Sequence, residues 1–253
     1  MKSIIILVAV LGWGLFYSPL GFTQTNDQTN EELNKLKQDV QALKSDIQAI
    51  KDMLQPKQPV GPTPDKPIVV SIEGDATKGA KTAKVTLVEF TDYQCPFCSR
   101  HFRDTMPQID NDYVKTGKIR YVLREFPLEA IHPLAFKAAE AASCSGEQGK
   151  YWEMHDRLFA NQNALAAEQL AGHAEAVGLD AGKFKTCLES GKYAAKVRKD
   201  LTDAQKAGVT GTPTFFIGLT DSKGSEIKAV RKIVGAQNYA AFKDAIESLL
   251  AAQ

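Results

Sequence analysis

Two cysteines three positions apart, Cys95 and Cys98, are the residues of this chain best placed to do chemistry, in the stretch "FTDYQCPFCSRHF" spanning 90–102. An apolar run gives way there to a helical pattern, so the first sulfur falls at a helix N-terminus, among unpaired N–H groups and the positive end of the helix dipole. That setting favours a thiolate. In such motifs the thiol pKa falls from ~8.5 to ~3.5–7, which makes Cys95 both a nucleophile and a good leaving group. Cys98, one turn further in, is positioned to attack a mixed disulfide on Cys95. Pro96 suits the first helical turn, where its missing N–H is not needed. Phe97 adds no charge to the motif. Three chemistries use this spacing: a redox pair, half of a metal site, or an inert bridge. Zinc needs about four ligands, and the other candidates, Cys144, Cys187, His101, His132, His155 and His173, form no second cluster of suitable spacing. No metal and no cofactor is expected.

The elements that must position the pair read as follows. "KVTLVEF" (84–90) is a buried strand, and the segment from Cys95 to about Thr116 is a helix bent at Pro107. "KIRYVLREFPL" (118–128) alternates as a second strand. A helical stretch covers about 133–207, punctuated by Gly149, Gly178 and Gly191. Strand patterns return in "TPTFFIGL" and "EIKAVRKIVG", and "NYAAFKDAIESLLAA" closes the chain as an amphipathic helix with Asn238 as its N-cap. The order is β-α-β, a helical insertion, then β-β-α. The expected class is α/β.

This arrangement carries a resemblance. "VEFTDYQCPFCSRHF" together with "GVTGTPTFFIG" resembles the DsbA-like branch of the thioredoxin-fold thiol:disulfide oxidoreductases over roughly 68–250. The resemblance implies a thioredoxin fold with an inserted helical subdomain and a redox-active Cys95–Cys98 pair. It also implies a cis-proline loop at Thr212-Pro213 facing the pair and binding substrate. Six residues before Cys95, Glu89 matches the family's buried acid; such a carboxyl would have a raised pKa and could accept the Cys98 proton. Read without the resemblance, the alternative is that Glu89 is a surface residue on an edge strand. DsbA itself carries His between its cysteines and Val before the cis-proline, whereas Phe97 and Thr212 stand here. Thr at that loop resembles the DsbC-type isomerases.

The flanking segments set the context. The start, Met1-Lys2 followed by "IIILVAVLGWGLFY", reads as a signal peptide over 1–23, and the uncharged stretch 4–22 leaves an uncleaved membrane anchor open. Both place the body in the periplasm or another extracytoplasmic space, where disulfides persist. There Cys144 and Cys187 are expected to form a structural disulfide within the helical insertion.

Over 27–55, Leu33, Leu36, Val40, Leu43, Ile47, Ile50 and Leu54 alternate spacings of three and four, a heptad seam. Glu32, Asp39 and Asp46 line one flank and Lys37, Lys44 and Lys51 the other, which pairs acid with lysine in a parallel coiled coil and acid with acid in an antiparallel one. A parallel homodimer is expected, with a trimer as the variant. A Pro-rich linker, 56–67, joins this helix to a catalytic domain over 68–252. The net charge of +1 and the lack of a basic stripe exclude nucleic acid as a partner.

The expected activity is disulfide isomerase or reductase, acting as an oligomer on unfolded or wrongly bridged secreted proteins and reset by a membrane redox partner. A disulfide donor is the alternative, and a non-catalytic membrane-tethered adaptor a remote one.

Overall fold

The computed structural model describes residues 23–54 and 68–252, in two units that divide at Lys57. The signal or anchor segment and the linker lie outside the described residues. Helix α1 (Thr23–Leu54) occupies the first unit and begins a few residues before the heptads. Within it Leu33, Leu36, Val40, Leu43 and Ile47 are all exposed, 44% to 61%. A stripe of aliphatic side chains in water on one helix face needs a partner to become favourable.

The second unit is a six-stranded sheet in the order β1-β6-β5-β3-β4-β2. Its strands are β1 (Ile68–Ser71), β2 (Ala76–Gly79), β3 (Val85–Thr91), β4 (Ile119–Glu125), β5 (Thr214–Thr220) and β6 (Glu226–Val234). Only β3 and β4 run parallel; the other neighbouring pairs are antiparallel. All seven side chains of β3 are buried. A strand covered on both faces reads as a mainly apolar run, and "VTLVEF" does so apart from Thr86 and Glu89. Two short edge strands, β1 and β2, extend the expected β-α-β…β-β-α order. β2 reads "ATKG", too short and too polar to signal a strand, and it is held by pairing with β4.

The active-site helix departs from expectation in where it breaks. Helix α2 (Pro96–Asp104) stops at Thr105, two residues before Pro107, and α3 (Met106–Ile109) follows with Pro107 in its first turn. Pro107 lacks the N–H that would bond the carbonyl four residues back, and its ring crowds that carbonyl, so the helix ends ahead of it. A π-helical turn, Asp110–Val114, leads into β4.

Between β4 and β5 lie α4 (Ala135–Gly146), α5 (Tyr151–Ala160), α6 (Ala167–Ala176), α7 (Ala181–Glu189) and α8 (Ala194–Lys206). Gly149, Gly178 and Gly191 sit between them with positive φ, the left-handed geometry that a Cβ disfavours. Helix α9 (Tyr239–Leu250) closes the chain, and its cap Asn238 accepts a hydrogen bond from the N–H of Ala241.

One face of the sheet packs Leu87, Tyr121, Phe215 and Ile217 against α3 and α9, while the other packs Val88, Phe90 and Phe216 towards α8. A third apolar cluster reaches the cysteine motif. It joins the inserted helices to Tyr93, Cys95 and Cys98, so the insertion is packed directly onto the cysteine motif. Phe102 stacks on Phe159 of α5, with ring centroids 5.3 Å apart.

Candidate active site

Cys95 is the N-cap residue of α2, with Pro96 at the first helical position and Ser99 N–H bonded to the Cys95 carbonyl at 3.1 Å. The turn before it is fixed by Asp92. One Asp92 oxygen, Oδ1, accepts from the N–H groups of Gln94 (2.7 Å) and Cys95 (3.1 Å). The other accepts from Leu128 N–H and lies 2.8 Å from His132 Nδ1, so one buried carboxylate ties the loop after β4 to the cysteine turn. Gln162 closes the far side by donating to the carbonyls of Tyr93 and Cys95.

The Thr212-Pro213 peptide is cis, and the Thr212 carbonyl lies 3.4 Å from Cys95 Sγ. The Thr212 hydroxyl has no partner among the described residues. Protonated, the Cys95 thiol donates to that carbonyl; ionised, it has a hydroxyl within the same loop to turn to. Both cysteines are reduced and buried, whereas Phe97 is 53% exposed at the tip of the motif.

The two sulfurs are electrostatically unlike. Hydrogen bonding from the Cys98 thiol, helped by Thr212 and by the N–H groups of Cys98 and Phe97, outweighs burial and lowers the Cys95 pKa to about 6. Burial, and the neighbouring Cys95 and Glu89, push Cys98 well above an ordinary thiol. At neutral pH the thiolate form of Cys95 is favoured while Cys98 keeps its proton. Cys95 can therefore attack a foreign disulfide, and Cys98 can act only once its proton is taken.

Glu89 stands on β3, paired with Phe215 of β5 and Leu123 of β4, and is 2% exposed. The surface edge-strand alternative is thereby corrected: β3 is a central strand. Burial raises the Glu89 pKa to about 7, against the opposing hydrogen bonds of Tyr121 and Thr91. A carboxyl poised at that value is suited to exchange a proton near neutrality.

Residues 71–247 match the family described as Thioredoxin. The chain belongs to the thioredoxin family. Among solved structures, alpha-DsbA1 from Wolbachia pipientis superposes with a TM-score of 0.62 at 28% identity, covering 72% of this chain and 94% of that one. BdbD from Bacillus subtilis, in its oxidised form, gives a TM-score of 0.62 at 25% identity, with 74% and 96% covered. Among curated sequences, the Na(+)/H(+) antiporter NhaA 1 of Salinispora arenicola is 38% identical over 161 residues, which are 64% of this chain and 24% of the antiporter. The chain spans about a quarter of the length of the antiporters it matches. Its neighbours place this thioredoxin-family chain with the DsbA-like thiol:disulfide oxidoreductases.

The thioredoxin-family site thus gathers Cys95, Pro96, Phe97, Cys98, Thr212 and Pro213, with Glu89 on the strand that leads into the motif. Cys144 and Cys187 are joined as a disulfide between α4 and α7, within the apolar cluster that also holds the motif cysteines. Sequence reasoning missed Asp92, Tyr121 and His101. An Asp three residues before a helix start is a turn signal that could have marked Asp92. Tyr121 and His101 carried no such signal, because each reaches Glu89 from a different element: Tyr121 from the next strand, His101 from α2.

Proposed function

We propose that this protein catalyses thiol:disulfide exchange on folding proteins outside the cytoplasm, chiefly as an isomerase or reductase working as an oligomer. The observation that carries the reading is the split between an ionised Cys95 and a protonated Cys98 at one helix start. Cys95 Sγ attacks a client disulfide, one client sulfur leaves as thiolate, and a mixed disulfide forms. For isomerisation a different client thiolate attacks the client sulfur of the mixed disulfide, so a new client disulfide forms, the Cys95–client bond breaks and Cys95 leaves as thiolate. For reduction Cys98 gives its proton to Glu89 and displaces the client, closing the Cys95–Cys98 bridge.

Three further features support the finer reading. A Cys95 pKa of about 6 lies nearer to thioredoxin, at about 7, than to the strongly oxidising DsbA, at about 3.5. The Cys144–Cys187 bridge fits an oxidising compartment. The exposed seam of α1 offers an oligomerisation face, and two sites joined by it raise the effective concentration of a held client. The donor reading is favoured by a different observation, the inserted helical subdomain shared with structures titled DsbA.

Refolding of scrambled ribonuclease separates these. The full chain is expected to restore activity, and the double variant Leu36→Glu, Leu43→Glu is expected to be monomeric and several-fold slower while still reducing insulin. Equal rates in both proteins would remove the oligomeric isomerase. An inactive Cys95→Ser protein is required under either reading.

A further inference from the structure

Glu89 is held by groups that the exchange reaction does not itself require. The Tyr121 hydroxyl on β4 donates to Glu89 Oε2. His101 Nε2 on α2 lies 3.4 Å from that same hydroxyl and 3.9 Å from Glu89 Oε2. All three side chains are within 2% of complete burial. Thr91 on β3 also hydrogen-bonds Glu89, and aromatic rings line the rest: the His101 ring packs on Phe215 of β5 and Phe242 of α9, with centroids 4.5 Å and 5.3 Å away, and Trp152 of α5 packs on Tyr121. The charged and titratable groups that bear on the cluster are Cys95 and Cys98 at the start of α2, Tyr93 from the turn before it, His155 from α5 beside His101, and Asp110 beyond Tyr121.

His101 is no counter-ion. Burial and the nearby His155 lower its pKa to about 3, so it is neutral across the working range and the 3.9 Å contact is not an ion pair. Its Nδ1 has no partner among the described residues. An unmet buried acceptor costs less than an unmet N–H together with a lost donor, so the proton is assigned to Nε2. Nε2–H then points at the Tyr121 oxygen, and the Tyr121 proton is left with one acceptor, Glu89. The phenol itself stays protonated, because burial and the Glu89 charge both oppose its ionisation.

We propose that Tyr121 and His101 are positioning residues for the resolving step: His101 orients the Tyr121 hydroxyl, and that hydroxyl decides how readily Glu89 takes the proton from Cys98. The step balances. The Cys98 S–H proton passes to a Glu89 oxygen, Cys98 Sγ bonds to Cys95 Sγ, and the Cys95–client S–S bond breaks with the client leaving as thiolate. A phenol donated to the carboxylate stabilises the charged form that must receive the proton. Without it, Glu89 is already protonated at neutral pH and cannot act as a base.

The inference rests on the Glu89 role in the proposed function, and the test keeps the two apart. The full chain is charged with a fluorescent thiol on Cys95, and release by Cys98 is followed through a pH series. The native protein is expected to show a midpoint near 7. Glu89→Gln is expected to abolish that midpoint; its survival would show that Glu89 is not the base. Given that loss, Tyr121→Phe is expected to move the midpoint up by about 1–2 pH units, the size of a hydrogen bond to a charged group, and to slow release at neutral pH roughly tenfold. Recovery at higher pH distinguishes this from simple damage. Site-specific 3-fluorotyrosine at 121, a stronger donor in an unchanged fold, is expected to move the midpoint down. His101→Phe is expected to move it up by less than Tyr121→Phe. A midpoint unmoved by both Tyr121→Phe and the fluorotyrosine would overturn the assignment.

Discussion

At the residue scale, the site is a set of buried groups whose proton affinities the fold has shifted. Cys95 and Cys98 share a motif, yet one ends at a helix start near Thr212 and the other is sealed below it, so one thiol is acidified and the other is not. Glu89 and His101 are both buried, which raises the carboxyl and lowers the imidazole. Such perturbation has a thermodynamic consequence. Glu89 has a folded pKa of about 7 against an ordinary 4.5, so between those values the native state binds more protons than the unfolded state. Stability from this residue therefore falls as pH rises through that window and stays low above it. Replacing Glu89 with Gln removes the buried charge. The variant is expected to match the native protein near pH 4.5 and to be more stable by about 3 kcal/mol above pH 7, measured by denaturant titration at both ends. A constant difference across pH would contradict the buried-carboxylate assignment.

At the element scale, β3 and α2 make the site, and the inserted helices hold it. The legible parts were those with local signals: the apolar run of β3, the Cys-Pro start of α2, the Asn238 cap, and the glycine breaks in the insertion. Other features were set across the sheet and could not be read along the chain. β2 exists because β4 pairs with it, and Tyr121 meets Glu89 because parallel β3 and β4 present both side chains to one face. Arg124 shows the same in the core. This buried side chain joins Asp75, Asp200 and Asp203 and donates to the Ser71 carbonyl, so β4, α8 and the β1–β2 connection are bound by one guanidinium with no sequence signature. The Cys144–Cys187 bridge fastens α4 to α7 across 43 residues of chain. Its removal in Cys144→Ala, Cys187→Ala is expected to cost about 2–4 kcal/mol in thermal or chemical unfolding. The Cys95 thiolate titration is expected to stay put, because the groups that acidify Cys95 are Cys98, Phe97 and Thr212 and not the bridge. A moved titration would show that the insertion tunes the reactive sulfur as well as covering it.

At the scale of the whole molecule, two units divide the labour. The body carries the chemistry and matches thioredoxin-family structures over nearly their full length. α1 carries an apolar stripe, Leu33 to Ile47, that is exposed among the described residues. The combination is what an exchange enzyme needs if it is to hold a client while bridges are tried and rejected. None of it operates unless Cys95 ionises below neutrality while Cys98 does not. The most direct test is an ultraviolet thiolate titration of the reduced full-length protein, repeated on Cys98→Ser to identify the titrating sulfur and allow for the lost Cys98 hydrogen bond. A single thiolate midpoint near pH 6 in the native protein, with the second thiol silent through neutrality, is the predicted result. Two thiols titrating together near the ordinary value of about 8.5 would contradict the account.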